Sequence, residues 1–424
     1  MISNYQPTRY LSVYRTLLTG EKVLLGELAQ SSQGCFFAYH PAYLEQYPNI
    51  SPFKLSTSTE PQQAPAMPHF NLHGVFADAL PDGWGMLLQD RYFASQGINY
   101  RMVSMLDRLA FVGNRGIGAL SFEPSFDHGF GAEIAHTTMA ELGNHAERLF
   151  DGLTEEILMA LVQAGSSGGA RPKSQVYLSQ DAKSCRTIPQ LGDEAWIVKF
   201  TSQNLSLSHD EGVCEAVYLM MAEQSDLQPV QWRLFETNTR RWLGVQRFDY
   251  QPQTMGRIHT HSLCGLLDAS HRMPSMDYFE LIKATKLLCK DRQATQLQFR
   301  RAIFNLFAIN QDDHTKNWAF LQDEQGQWMP SPAYDITYSP MHHKEHSMAF
   351  GRYGKAPSLD VIQSLADLAG FGTWQEAKAA IEQVVGSVSD FRHHAKQLGV
   401  RADTITMIAK HLDEIYQQNK GLLV

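Results

Sequence analysis

The chain reads as an α+β protein of two lobes, mixed through its N-terminal half and mainly helical beyond about residue 260. Three observations point there. Short β-favouring runs alternate with turn signals up to about residue 250, and five segments with helical spacing follow. At 424 residues the chain also exceeds one small core.

The opening YLSVYRTLLTGEKVLLGELA places two β-favouring runs around a turn at Thr19 and Gly20, the start of a small sheet. Residues 51–68, rich in Ser, Thr, Pro and Gln, read as a long surface loop. LPDGWGMLLQDRYFASQ predicts a helix starting after Pro81, with Trp84, Leu87, Leu88 and Phe93 at roughly helical spacing. FVGNRGIGALSFEP reads as a structural turn leading into an apolar run at Ala119 to Phe122, because its G-x-x-G-x-G spacing is not followed by a helix.

A helical region is expected near Leu153 to Ala164, followed by the loop GSSGGARPKS. Two β runs follow, Gln175 to Leu178 and Ala195 to Phe200. The helix Gly212 to Glu223 offers Val213, Val217 and Met220 or Met221 for a buried stripe, and a strand is expected over Trp242 to Phe248. Beyond residue 260, helices are expected at YFELIKATKLL, FRRAIFNLFAI, VIQSLADLAG, WQEAKAAIEQVV and TITMIAKHLDEIY. A cleft is expected between the two halves.

Hydrophobic residues at 43 % and charged residues at 19 % fit an ordinary globular protein. A formal charge of -8 supplies no basic excess to drive counterion release, which argues against strong nonspecific nucleic-acid binding by the chain alone. The five cysteines are scattered and form no Cys-x-x-Cys pair, so reduced thiols and no structural zinc are expected. No leader pattern and no apolar run of 18 residues appear, so the expectation is a cytoplasmic protein without a membrane partner.

The most informative stretch is AINQDDHTKNWAFLQDEQGQWMPSPAYDITYS. Asp312 and Asn317 stand five positions apart after an apolar helix, and Asp335 follows 18 residues after Asn317. A hairpin-like connection through Gly326 can return Asp335 beside Asn317. Phosphoryl transfer needs a carboxylate facing the acceptor and oxygen ligands for Mg²⁺. Asp312 suits the catalytic base, and Asn317 with Asp335 suit the metal. The Asp-to-Asn spacing matches the kinase catalytic loop. His314 and Lys316 are placed to position the loop. Asp313 is the competing neighbour, since either aspartate can point inward.

Upstream, Gly168 and Gly169 let backbone N–H groups approach an anion, with Arg171 and Lys173 as phosphate contacts. Lys199, in the apolar run WIVKF, suits a strand lysine reaching nucleotide phosphates. Glu215 leads as its orienting partner, with Glu211 and Glu223 as alternatives. The backbone of Gln246, Arg247 and Phe248 is a candidate adenine-side segment, while Asp249 either pairs with Arg247 or caps a turn.

With these residues in place the chain resembles the HipA-type serine/threonine kinases, toxin components of bacterial toxin–antitoxin pairs. The resemblance is carried in order by GELA, LPDGWGMLL, GNRGIGALSFEP, GGARPK, WIVKF, the Glu215 helix, VQRFDY, DDHTKN and SPAYDI, over more than 300 residues. It implies a bilobal kinase-like fold, ATP and Mg²⁺, Ser/Thr phosphorylation and growth arrest. It assigns the base to Asp312, metal ligands to Asn317 and Asp335, and the ATP-positioning lysine to Lys199. It also implies autophosphorylation at Ser166, with Ser167 as the neighbouring alternative.

The family's best-known substrate makes an aminoacyl-tRNA synthetase the implied target. A separate antitoxin partner would carry any DNA contact. Two departures bear on substrate and regulation: the loop reads GGARPK, and His261 stands where related sequences often carry an acidic residue. The corresponding division is an N-terminal α+β subdomain over 1–125, an ATP-binding region over 126–250 and a helical catalytic lobe over 251–424. The competing readings are a small-molecule or lipid kinase, and a catalytically weak kinase-like protein acting through an antitoxin.

Overall fold

The computed structural model describes residues 5–126, 137–156, 158–165, 168–181, 184–237 and 240–423. They fall into two compact units, each assembled from separated stretches. The first comprises Met1–Asn204, Gly244–Asp268 and Leu321–Gln327, and the second Leu205–Leu243, Ala269–Phe320 and Trp328–Val424. The architecture is the expected one: mixed α/β through the N-terminal region, and mainly helical in the C-terminal part.

In the first unit, strands Tyr10–Thr16 and Lys22–Ser31 pair antiparallel around the Thr19–Gly20 turn. Gly20 has φ +87°, and a Cβ there would lie 2.3 Å from the Thr254 carbonyl oxygen, so both conformation and space demand glycine. The sheet continues through Gly34–Tyr39 to Gln62–Gln63 on one side, and to Leu120–Glu123 on the other. Leu11 and Val13, two apart on one strand face, are fully buried with Leu28, Phe37, Phe76 and Phe122. Burial of each such side chain contributes about 1.5–3 kcal/mol.

A second sheet places Lys173–Leu178 between Cys185–Arg186 and Glu194–Lys199. The helix Gly83–Ser95 starts where its sequence predicts and buries Trp84, Leu88 and Phe93.

Two local expectations need correction, and two helices go beyond them. The helix near Leu153 to Ala164 is confined to Met159–Ala164, and Leu153 is 68 % exposed. The longer helix nearby is Met139–Phe150, started by a Thr138–Glu141 capping box. Another capping box, Ser104 with Asp107, starts a helix at Met105–Val112 ahead of the glycine turn. Residues 51–68 are not wholly a surface loop, because Ser51, Leu55 and Ala64 are buried.

Ser51 is held by a polar chain inside this unit. Its hydroxyl lies 3.0 Å from His261 Nε2, and His261 Nδ1 lies 2.7 Å from Asp78 Oδ2. The Ser262 backbone N–H and hydroxyl also donate to Asp78, at 2.7 and 2.6 Å. The chain ties the loop, the Gly74–Ala77 turn of helix and the strand His259–Ser262 together. Burial pushes the Asp78 carboxyl up, but His261 and the Ser262 donors more than offset this and hold it below its ordinary value.

In the second unit the five expected helices are present, as Tyr278–Cys289, Arg292–Ala308, Leu359–Ala369, Trp374–Ser389 and Ala402–Asn419. Helix Arg292–Ala308 is buried nearly all round, from Ala294 to Ala308. Such a helix belongs at the centre of a unit. It delivers the chain directly to Asn310–Asn317. All five cysteines are free thiols. No helix among the described residues is long and apolar enough to cross a membrane.

Replacing His261 by Ala (H261A) strands Asp78 and Ser51 without their shared partner, and is expected to cost about 2–4 kcal/mol in denaturant unfolding. A carboxyl with a depressed folded-state pKa stabilises fully above about pH 4, and that contribution is lost as pH falls through the folded value. The H261A deficit should therefore shrink in strong acid. A variant as stable as wild type at pH 7 would contradict this role.

Candidate functional site

The segment following helix Arg292–Ala308 resolves the two adjacent aspartates. Asp313 is fully buried, while the Asp312 side chain is 54 % exposed. Asp313 accepts hydrogen bonds from the Tyr278 hydroxyl, from the Ser347 N–H at 2.8 Å and from the Met348 N–H at 3.2 Å. His346 Nδ1 lies 2.8 Å from its second oxygen. The Trp318 indole donates to the Asp313 carbonyl at 3.0 Å. Burial and the Asp313 carboxylate together push the Tyr278 phenol well above its ordinary value, so it stays a donor.

Asp313 is thus the anchor of the loop, and Asp312 is its outward carboxylate. The Asn317 side-chain amide donates to the Asp312 carbonyl at 2.7 Å, closing the five-residue loop on itself. With its NH₂ committed there, the amide oxygen is the end of Asn317 left to meet a cation. His314 Nε2 lies 3.9 Å from Asp312 Oδ1, and its ring stands 6.0 Å from that of His271. The Lys316 carbonyl accepts from the Tyr334 hydroxyl at 2.7 Å.

Behind the loop, Asn310 donates to Asn305 Oδ1 at 2.9 Å and accepts from the Ser339 hydroxyl at 2.9 Å. Arg301 donates to the Leu227 carbonyl at 2.9 and 3.0 Å, and burial lowers its guanidinium to about 9.

The connection after Asn317 is a hairpin, Ala319–Gln322 with Trp328–Pro330, and Ser331 N–H returns to the Ala319 carbonyl at 2.9 Å. It carries the chain through Tyr334 to Asp335. Asp335 has φ +54°, a left-handed conformation that non-glycine residues adopt at a cost of about 1–3 kcal/mol. Such strain clusters at ligand-holding positions. The donors of Asn317 and Asp335 are both oxygen, the chemistry that Mg²⁺ requires.

The phosphate-side candidates lie in the first unit. Strands Lys173–Leu178 and Glu194–Lys199 pair antiparallel, with Lys173 opposite Lys199. Directly opposed residues share a sheet face, so two lysine side chains stand side by side, and both residues are buried. Lys173 Nζ donates to the Gly168 carbonyl at 2.6 Å. Gly169 has φ +99°. Arg171 is half-buried. Ser166 and Ser167 lie outside the described residues.

The FVGNRGIG segment is a structural turn, as its sequence indicates. Gly118 N–H donates to Asp249 Oδ2 at 2.7 Å, and the Gly116 carbonyl accepts from Arg247 at 3.1 Å. Arg247 and Asp249 form a buried ion pair at 2.6 Å. The Arg247 backbone N–H donates to the Ala195 carbonyl at 2.8 Å. Arg247 is therefore committed within the protein, and Gln246 and Phe248 are the members of that trio with half-buried side chains. In the second unit, Glu215 is buried on helix Glu211–Gln224, whereas Glu211 accepts from the Leu207 N–H at 3.1 Å at the start of that helix.

Sequence reasoning missed three residues. Tyr278 and His346, which hold Asp313, lie too far away in sequence for any local pattern to link them. The sequence marks Asp82 only as part of a helix start, yet its carboxylate accepts from Gly169 N–H.

The fold and these residues define a two-unit α+β protein of the HipA type. Two family models match, a HipA N-terminal domain over residues 18–123 and a HipA-like C-terminal domain over residues 165–392. The chain belongs to the HipA-like family. It shares its fold with the matched chain of the Shewanella oneidensis toxin–antitoxin complex of HipA, HipB and operator DNA. The TM-score is 0.69 and the identity 16 %, covering 97 % of this chain and 98 % of that one. A Sinorhizobium fredii protein named "Putative kinase Y4mE" is 29 % identical over 213 residues, which is 44 % of this chain and 49 % of that protein. The match thus spans about half the length of that curated relative.

The adjacent aspartates should respond oppositely to substitution. Asp313→Ala strips four buried partners and is expected to cost about 3–5 kcal/mol. Asp312→Ala, at an exposed position, should change stability by no more than about 0.5 kcal/mol. Denaturant unfolding of both variants checks this. Equal losses would show that Asp312 is itself a structural anchor.

Proposed function

We propose that this protein is an ATP- and Mg²⁺-dependent kinase that phosphorylates Ser or Thr of a protein substrate, as the toxin of a toxin–antitoxin pair. The observation that carries this reading is the loop in which Asn317 closes on the Asp312 carbonyl while Asp313 anchors from below. This leaves one exposed carboxylate at a kinase spacing from an amide oxygen.

In this reading Asp312 accepts the proton of the attacking hydroxyl. Asn317 and Asp335 hold the metal through oxygen. Mg²⁺, when bound, supplies positive charge against the terminal phosphates. Lys199 and Lys173, opposed across their strands, orient nucleotide phosphate. His314 and Lys316 keep the loop in register. Gln246 and Phe248 remain the adenine-side candidates.

Family membership supports kinase chemistry. The name of the Sinorhizobium fredii relative agrees, and the Shewanella oneidensis complex supports a separate antitoxin that contacts DNA. An aminoacyl-tRNA synthetase remains the substrate that the family resemblance suggests. An enzyme acting on a small molecule or lipid would use the same phosphate-handling residues.

Labelled γ-phosphate transfer by purified protein tests the reading. Asp312→Asn should reduce transfer by about 10²–10⁴-fold, the range for loss of a general base. ATP affinity should stay within about twofold, because Asp312 contributes proton acceptance and not nucleotide binding. Lys199→Met should instead weaken ATP binding. Transfer unaffected by D312N would reject the assignment.

A further inference from the structure

Residues 168–173 do not hang free in the first unit. Residues 168–173 are seated on the Pro81–Trp84 turn at four points. Asp82 Oδ1 accepts from Gly169 N–H. Trp84 N–H donates to the Gly169 carbonyl at 3.1 Å. The Trp84 indole donates to the Lys173 carbonyl at 2.8 Å. Gly83, at φ +42°, presses so closely that a Cβ there would meet Ala170 Cα at 2.6 Å and Gly169 O at 2.7 Å. Both Asp82 carboxylate oxygens stand 3.3 Å from where a Cβ of Gly168 would be.

The consequences follow along the loop. Asp82 and Trp84 bind opposite ends of the Gly169 peptide groups, which holds Gly169 at φ +99°. That turn directs the Gly168 carbonyl to Lys173 Nζ, 2.6 Å away. The indole fixes the Lys173 backbone at the register where Lys173 opposes Lys199. Trp84 is 1 % exposed, so this support is rigid. A charge-assisted hydrogen bond to a carboxylate is about twice as strong as a neutral one, and Asp82 accepts it at Gly169, the left-handed point of the loop.

We propose that Asp82 is a positioning residue for nucleotide phosphate: through Gly169 it holds the Gly168–Lys173 loop in the shape that receives ATP. Asp82 touches no reacting atom, and the Gly83–Trp84 pair completes its support. This inference rests on the kinase reading above for its nucleotide half, whereas the seating of the loop stands apart from it.

The test uses the full chain with Asp82→Ala, Asp82→Asn and Gly83→Ala, in two measurements. The first is amide hydrogen exchange without nucleotide, over peptides spanning Gly168–Lys173. D82A and G83A should accelerate exchange there by about tenfold or more, the loss of roughly one hydrogen bond's protection. D82N, which keeps an acceptor oxygen, should fall between D82A and wild type. The second is ATP–Mg²⁺ kinetics. D82A should raise the KM for ATP about tenfold with kcat within about twofold, and D82N should recover part of the loss.

Unchanged exchange in D82A would overturn the seating, and with it the proposal. Faster exchange with an unchanged KM would overturn the positioning role. A lowered KM would show that the carboxylate competes with phosphate, the opposite of what is proposed. Wild-type protein that binds no ATP would overturn the kinase reading and the nucleotide half of this inference. The exchange result would separate that failure from a failure of the seating.

Discussion

The buried carboxylate of Asp313 is the constraint on which the geometry of the Asn310–Asn317 loop depends. A charge at zero exposure is tolerated only when its hydrogen-bonding capacity is filled, and here it is filled by a tyrosine, a histidine and two backbone amides. Those partners come from helix Tyr278–Cys289 and from residues 346–348, so the loop is tied at once to two distant parts of its unit. Because Asp313 must point inward, Asp312 must point outward, and Asn317 folds back onto the carbonyl between them. The exposed carboxylate owes its placement to the buried one beside it.

The first unit follows a related logic with different groups. Lys173 and Lys199 oppose each other across paired strands, and both are buried. The glycine loop leading to Lys173 is fixed by hydrogen bonds from the Pro81–Trp84 turn. The buried Arg247–Asp249 pair fixes the neighbouring FVGNRGIG turn through Gly116 and Gly118. Each flexible glycine segment is thus held by an acidic side chain that accepts its backbone N–H groups.

Much of this was legible in the sequence, for identifiable reasons. The five C-terminal helices and the main strands carried strong periodicity, and the Asp312-to-Asn317 spacing is local. The Arg247–Asp249 pairing and the structural role of FVGNRGIG were likewise within reach, because the interacting residues lie close in sequence or announce a turn. The capping boxes at Ser104 and Thr138 were readable signals that went unread, and the helices they start were missed. The illegible part is non-local. Nothing near Asp313 announces Tyr278 or His346, and nothing in GGARPK announces Asp82, 87 residues earlier. The choice between adjacent aspartates depended on those distant partners, as did the burial of Ser51 against His261.

In the reaction proposed for this protein, the exposed Asp312 activates a hydroxyl of another protein for phosphorylation. Quantitative phosphoproteomics after brief expression of wild type beside D312N tests it most directly. New phosphoserine or phosphothreonine sites should appear with wild type alone, and purified wild-type protein should reproduce them from ATP and Mg²⁺. The same phosphosites at the same levels in both cells, upheld with purified proteins, would contradict the account.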